Sequence, residues 1–456
     1  MAAKVVLIGG GSYGWTPTLA RDMFLREGLR GSELLLVDID KTAANLLKKY
    51  CQMMVDKIGC GWKVKVAEPE KALEGADYVC ISIAVGGLET FDRDYNIPEE
   101  YGVYHTVGDT VGPGGISRVL RNVPVFVEYA KMMEKLCPNA WLIHVTNPLS
   151  QLTRCVNLAT SIKCVGLCHN YAGTMGYLAM FFGAKREDID AVSVGVNHGS
   201  WLKNITIKGK PADMSRFTTA NLLEFELKRK GEFKTGTLDD EINAMFKDRS
   251  VGYYFNVEMF LKYGYFPVGD APHVVENLPY YANSPATLEA HKIRRKGVLP
   301  MRAEGKEKAR QRILAVTSGK QPLPEMKGSL ETLSGILEAL HTGKHYRCIV
   351  AMQNEGQISN LPRDVVVETH ANVTASGIKP EMSGDVPPSI LPLIQNVVAE
   401  EEMAVVAALE GDRKKVAIAM ALSPMMQNKD KAEELANRLL EAQKDWLPQF
   451  FRKRKR

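Results

Sequence analysis

The segment Lys4-Val-Val-Leu-Ile-Gly-Gly-Gly-Ser-Tyr-Gly14 constrains the fold of this chain more than any other. An apolar run ends in Gly9, Gly11 and Gly14, in G-x-G-x-x-G spacing, and a helix-compatible stretch follows. A strand, a tight turn and a helix N-terminus account for that pattern. Gly9 permits the turn, Gly11 lets backbone approach a pyrophosphate, and Gly14 lets helix pack on strand. Ser12 lies in the same turn and belongs to the expected cofactor contacts. The next apolar run, Leu34-Leu35-Leu36-Val37, ends in Asp38, which is placed to bind a ribose 2′-hydroxyl. Together these features predict a dinucleotide site.

At 456 residues the chain is too long for one compact core, so two domains are expected. No apolar run approaches the roughly 20 residues of a membrane span. The N-terminus runs straight into a strand, without the layout of a signal peptide. The eight cysteines are scattered and form no C-x-x-C pair, which points to a reducing, cytoplasmic setting rather than a disulfide framework. The net charge of +5 resides in the tail Arg452-Lys-Arg-Lys-Arg456, and the remaining charges cancel. A short basic end is a solvated terminus, so neither nucleic acid nor membrane is an expected partner.

Apolar runs at Lys4–Ile8, Leu34–Val37, Val64–Val66, Tyr78–Ile83, Trp141–Val145 and Lys163–Leu167 alternate with amphipathic stretches such as Val119–Leu136 and Tyr171–Phe182. The alternation predicts an α/β fold with a doubly wound, Rossmann-like parallel sheet over residues 1–190. Strand character continues at Ala191–Val196 and Trp201–Ile207. Helical patterns then dominate: Leu222–Arg229, Asp239–Phe246, Val257–Tyr263, Ala303–Thr317, Ser329–Thr342, Ile390–Leu409 and Asp430–Trp446. Residues 191–456 therefore read as a mainly helical second domain, with the site in the cleft between the two.

Four further segments look chemical. His105-Thr-Val-Gly-Asp-Thr-Val-Gly-Pro-Gly-Gly115 is a glycine-rich loop before a helix, with Asp109 at its centre. It can close over a ligand or simply start a capped helix. Thr146-Asn-Pro148 follows a strand, where the Asn147 amide can bond a sugar hydroxyl or open a routine turn. Gly166-Leu-Cys-His-Asn170 and Gly195-Val-Asn-His-Gly-Ser-Trp201 also lie at strand ends. Their Cys168 and His198 are soft and borderline ligands suited to Zn, Mn, Fe or Co. A buried structural cysteine and a strand-end histidine would fit the same residues.

Taken in order, these segments resemble glycoside hydrolase family 4, the NAD- and divalent-metal-dependent glycosidases. The resemblance runs through Ile8-Gly-Gly-Gly-Ser12, Pro17, Asp94-Tyr-Asn-Ile-Pro98, Gly108–Gly115, Arg121, Pro124 and Asn147-Pro148. It continues with Cys168-His169, Asn197-His198, Gly264-Tyr-Phe-Pro267, His273, Glu276, Asn354–Pro362 and Val367-Glu368, and so spans nearly the whole chain.

The resemblance implies a fold related to lactate and malate dehydrogenases, an NAD cofactor, and Mn²⁺ or another divalent metal on Cys168 and His198. It implies that Asn147 binds sugar hydroxyls. The implied reaction is oxidation at C3 by NAD⁺, deprotonation at C2, elimination of the glycosidic oxygen, water addition and return of the hydride. Members of this family stand outside the two-carboxylate glycosidase scheme. Asp270 is the first choice for the C2 base and Tyr265 the second. Asp109 stands where many relatives carry a Gln-Glu-Thr sequence, and it is the candidate second acid/base or substrate contact. A general acid here needs a raised pKa.

The residue after Cys168 is His169, as in relatives acting on unphosphorylated hexosides and uronides, and the Gly108–Gly115 loop resembles the α-galacturonidase branch. A uronide carboxylate needs a cation, for which His169, Arg93 and the Arg294-Arg-Lys296 cluster are available, although such a cluster also reads as solvated surface charge. The substrate is then a small α-uronide or unphosphorylated α-hexoside, and a homodimer or homotetramer is the implied assembly. The rivals are a 2-hydroxy-acid dehydrogenase of the lactate/malate type and a noncatalytic NAD-binding regulator.

Overall fold

The computed structural model describes residues 2–230, 253–295 and 299–451. The helix expected at Asp239–Phe246, Lys296 and the basic tail lie outside them.

Strands β1 (Lys4–Ile8), β2 (Glu33–Val37), β3 (Lys63–Val66), β4 (Tyr78–Ile81), β5 (Trp141–His144) and β6 (Lys163–Gly166) are parallel, in the order β3-β2-β1-β4-β5-β6. Successive side chains enter opposite apolar layers, as the two-residue period of a strand requires. Val5 and Leu7 pack with Leu19, Met23 and Leu47 of the helices Trp15–Phe24 and Lys41–Ile58. Val6 and Ile8 pack with Ile116 and Leu120 of the helix Gly112–Leu136. Strand order reverses at β1, so a crevice opens beyond the C-terminal ends of β1 and β4, where such sheets bind ligands.

A second, antiparallel sheet joins β7 (Ile189–Val194), β8 (Trp201–Ile207), β9 (Lys210–Pro211) and β10 (Phe266–Pro267). Three more strands, β11 (Tyr346–Gln353), β12 (Val366–Thr374) and β13 (Gly377–Pro380), extend the main sheet beyond β6 in antiparallel fashion. The Rossmann-like order is therefore as expected, but the sheet is mixed and crosses the boundary placed at residue 190. The second half is mainly helical, as expected, but it also supplies β11 to β13 to the main sheet. The physical reason is the edge of β6, whose unpaired backbone groups need a cover. β11 supplies it from far along the chain, and such long-range pairing leaves no local trace in a sequence.

C-terminal helices Leu391–Glu410, Arg413–Leu422 and Ala432–Ala442 cover the helix Gly112–Leu136 through Ala404, Val405, Met420 and Leu439. A buried ion pair ties this layer together. Arg121 forks onto Asp94 at 2.8 and 2.6 Å, and Gln443 donates to the same Asp94 carboxylate. Both charged side chains are fully buried. Removing one partner strands the other charge in a dry core, at about 3–5 kcal/mol. Arg121→Met is therefore expected to lower the unfolding free energy by about that amount in urea titrations; a loss under about 1 kcal/mol would contradict the role given to this pair.

Candidate functional site

The glycine loop turns as expected. Gly9 has φ 88°, and a Cβ there would lie 2.0 Å from the Ser82 carbonyl oxygen. Gly11 donates its N–H to Asp38 at 2.7 Å, and a Cβ would collide with that carboxylate. The Ser12 hydroxyl accepts from Trp15 N–H at 3.3 Å at the start of the first helix. The close approach expected at Gly14 is not seen there; it occurs at Gly10, where the turn meets Leu36 of β2. A Cβ at Gly10 would meet Leu36 at 2.7 Å, whereas one at Gly14 meets nothing within 4 Å. Space is thus left open above a helix N-terminus, flanked by the half-buried Asp38 at the end of β2. That cradle fits a pyrophosphate and a ribose.

Across the crevice, the loop from His105 to Thr110 is fixed by one carboxylate. Glu276 Oε1 accepts from the N–H groups of Thr106, Val107 and Gly108, each at 2.9 Å. It also accepts from His105 Nδ1 at 3.2 Å. The His105 tautomer follows from its other nitrogen, since Nε2 accepts from Gly114 N–H at 2.9 Å. Burial opposes charge on Glu276, but His105 and the backbone donors hold its carboxyl below the usual range. Where the loop meets the helix, Glu400 accepts from Gly112 N–H at 2.7 Å. Burial pushes the Glu400 carboxyl up to about 7.

The loop so held presents Asp109. Asn147 donates to Asp109 Oδ1 at 3.2 Å, and the Arg302 guanidinium lies 3.7 Å from Oδ2. Arg118 donates to the Asn147 carbonyl at 2.9 Å. Burial alone would raise the Asp109 carboxyl, but the arginines around it, Arg118 first and then Arg302, bring the net shift below the usual range. Asp109 is therefore ionised at neutral pH. A lowered carboxyl suits a substrate contact or a base better than a general acid, which needs the opposite shift.

Cys168 follows β6, and His198 lies in the turn after β7 with φ 63°. Glu368 secures that turn. Its two oxygens accept from Asn197 Nδ2 at 2.9 Å and the Ser200 hydroxyl at 3.0 Å, while Asn277 donates to the His198 carbonyl at 2.6 Å. Burial pushes His198 down to about 3, so the imidazole is neutral. Burial and the Glu368 carboxylate push the Cys168 thiol up to about 12. Cys168 is the one cysteine among the eight free thiols that is not fully buried. His198 Nδ1, Asn197 Oδ1 and Asn170 Nδ2 are buried without hydrogen-bond partners among the described residues. A neutral imidazole, a neighbouring thiol and orphaned polar atoms fit a soft-to-borderline divalent ion plus a hydroxylated ligand. Among the described residues no three His, Cys, Asp or Glu side chains come together in a metal-binding group.

Asp270 immediately precedes the helix Ala271–Val275, and its side chain pairs with His273 Nδ1 at 2.5 Å rather than capping the helix. The His273 ring stands edge-on to His198, with centroids 4.6 Å apart. Asp109, Asn147, His198, Asp270 and His273 thus come together. Tyr265 does not join them by a hydrogen bond; it packs half-buried against the apolar cluster of Trp201 and Phe255. The tyrosine in the field of Asp270 is Tyr253, whose hydroxyl burial pushes up to about 12. Tyr253 lies 3.5 Å from Thr174 Oγ1. No sequence pattern marked it.

The expected cations fare differently from one another. His169 is half-exposed, pairs with Glu331 at 3.1 Å and lies beside Trp15 of the first helix. Arg93 is bound to Glu89 and to the Ala442 carbonyl. Arg295 is bound to Glu99 at 2.8 Å and the His105 carbonyl at 2.9 Å. Arg294 is half-buried in the same segment. Arg118 and Arg302, which the sequence reading passed over, are the arginines beside Asp109.

Residues 4–183 match the model of family 4 glycosyl hydrolases, and residues 193–426 match that of the family 4 glycosyl hydrolase C-terminal domain. An α-galacturonidase of Thermoanaerobacterium saccharolyticum is 30% identical over 97% of this chain and 96% of its own length. The crystal structure of Bacillus subtilis lplD, described as a glucosidase, is 30% identical and superposes with a TM-score of 0.83 over 96% of this chain and 100% of that one. A 6-phospho-α-glucosidase from gut microorganisms, solved with NAD and Mn²⁺, shares the fold at 20% identity, with a TM-score of 0.81 over 98% of this chain and 99% of that one.

Glu400 makes the loop's anchorage pH-dependent. Its carboxyl binds a proton more tightly folded, near pH 7, than unfolded, at the ordinary 4.5. The stability it contributes is therefore complete below about pH 4.5 and is lost as pH rises through about 7. Glu400→Gln is expected to stabilise the protein at pH 8, by up to about 3 kcal/mol, and to change little at pH 4.5. Denaturant titrations at the two pH values check this; an equal effect at both would contradict it.

Proposed function

Because the chain belongs to glycosyl hydrolase family 4, we propose that it hydrolyses α-linked uronides, α-galacturonides in particular, using NAD and a divalent ion. One observation carries this reading. The glycine cradle, the Cys168 and His198 pair and the Asp270–His273 pair all lie around the C-terminal edge of the sheet, where orphaned polar atoms need a ligand. The α-galacturonidase relative supports the choice of sugar.

Gly9, Gly11, Ser12, Gly14 and Asp38 would hold NAD, and Cys168 and His198 would hold the ion, Mn²⁺ by preference. When bound, the two supply reversible hydride acceptance at C3 and Lewis acidity, which together acidify the proton on C2. Asp270 takes that proton, and His273 fixes the orientation of its carboxylate. Asn147 and Asn170 orient sugar hydroxyls, the former from a position set by Asp109 and Arg118. Loss of the C2 proton expels the glycosidic oxygen from C1, and water then adds. A homodimer or homotetramer is part of the same reading, and light scattering of the eluted protein tests it.

Release of nitrophenol from p-nitrophenyl α-galacturonide is expected to need both NAD⁺ and Mn²⁺, and steady NADH accumulation on a hydroxy acid instead would support a dehydrogenase. Cys168→Ser is expected to weaken Mn²⁺ binding at least tenfold by calorimetry and to remove Mn²⁺-dependent turnover; unchanged binding would sink the metal assignment. Turnover in D₂O is expected to place deuterium at C2 of the released sugar, and its absence there would exclude deprotonation at that carbon.

A further inference from the structure

Two guanidinium groups share one carboxylate at the centre of the site. Arg302, on the helix Leu299–Thr317, lies 3.7 Å from Asp109 Oδ2 and 3.5 Å from the Val107 carbonyl, both long for a hydrogen bond. Its guanidinium rests 4.0 Å over the Phe91 ring, which fixes its plane, and the side chain keeps 34% of its exposure. Arg118 spends one donor on the Asn147 carbonyl. Each guanidinium carries five N–H donors. Most of these are unused among the described residues.

The charges do not balance. Arg118 lies in the fields of both Asp109 and Arg302. Neighbouring Arg121 is already neutralised by Asp94. Asp270 is likewise taken by His273, so Asp109 alone is left to face the two arginines and one positive charge is over. Of the expected cations, Arg93, Arg295 and His169 are spoken for by Glu89, Glu99 and Glu331. A half-buried excess charge with spare, planar donors binds a carboxylate well, because guanidinium and carboxylate match geometrically.

We propose that Arg118 and Arg302 form the subsite for a single carboxylate on the sugar, so that they, rather than His169 or Arg294, select uronides over neutral hexosides. This rests on the reading of the chain as a uronide hydrolase. The excess of one charge suits a carboxylate monoanion. A 6-phosphate, with a charge of about −1.5 to −2, would remain undercompensated. A neutral hexoside would leave the guanidinium donors unpaired, a mismatch that sites built for polar groups reject strongly.

The test uses the NAD- and Mn²⁺-loaded enzyme with p-nitrophenyl α-galacturonide, p-nitrophenyl α-galactoside and p-nitrophenyl 6-phospho-α-glucoside. Wild type is expected to prefer the uronide by at least about 100-fold in kcat/KM. Arg302→Met is expected to lower the uronide-to-galactoside ratio at least tenfold, and Arg302→Lys to restore part of it. Arg118→Lys is expected to lower the ratio in the same direction. Calorimetric binding of free galacturonate against galactose reads the subsite without turnover, and Arg302→Met is expected to erase the difference. A ratio and a binding difference unchanged in Arg302→Met and Arg118→Lys overturn the subsite while leaving the hydrolase reading intact. Preference for the 6-phosphoglucoside also overturns it. Galacturonate binding that depends on Arg302, with no release from any glycoside, supports the subsite and contradicts the hydrolase reading.

Discussion

The site depends on how one buried carboxylate is used. Glu276 accepts three successive backbone N–H groups and an imidazole N–H, and in doing so joins the segment after β10 to the loop that carries Asp109. Without it, the donors of residues 106–108 would be buried and unpaired, a cost of about 1–3 kcal/mol each. Glu400 secures the far end of the same loop through Gly112. The loop is therefore rigid on both sides of Asp109. Asp109 can hold Asn147 in place and stay ionised between two arginines because its backbone does not yield.

A second carboxylate repeats the device at the other wall. Glu368 spends both oxygens on the turn that carries His198, and that histidine is left neutral, with a bare nitrogen. Both walls follow the same economy. In each, a buried carboxyl satisfies backbone, amide or hydroxyl donors, and polar groups beside it keep unused hydrogen-bonding capacity. Three buried polar atoms without partners among the described residues, on Asn170, Asn197 and His198, stand beside the His198 turn. The glycine cradle lies on the same edge, so a dinucleotide seated there shares one crevice with Cys168 and His198.

Much of this was legible in the sequence, and what was not has physical reasons. Strands β1, β2, β4, β5 and β6 were readable because both faces are largely buried, which gives short continuous apolar runs between helical stretches. Cys168, His198, Asn147 and Asp109 were readable because they stand at strand ends or in a glycine-rich loop. β11 to β13 were not, since their partner β6 lies far back in the chain. That the close contact falls at Gly10 and not at Gly14 turned on where Leu36 approaches, which spacing cannot reveal. Arg118 and Arg302 escaped notice because one lies mid-helix and the other in a charged helix. Only tertiary contact with Asp109 distinguishes them from surface arginines.

If NAD works here as a resident store of hydride, the hydrogen on C3 must leave and return to the same sugar. The most direct test uses α-galacturonide deuterated at C3, with the released sugar examined by NMR. The account predicts a primary isotope effect on turnover and full retention of deuterium at C3 in the product. Hydrolysis with no isotope effect and no transient reduction of NAD, or loss of the label to accumulating reduced cofactor, would contradict it.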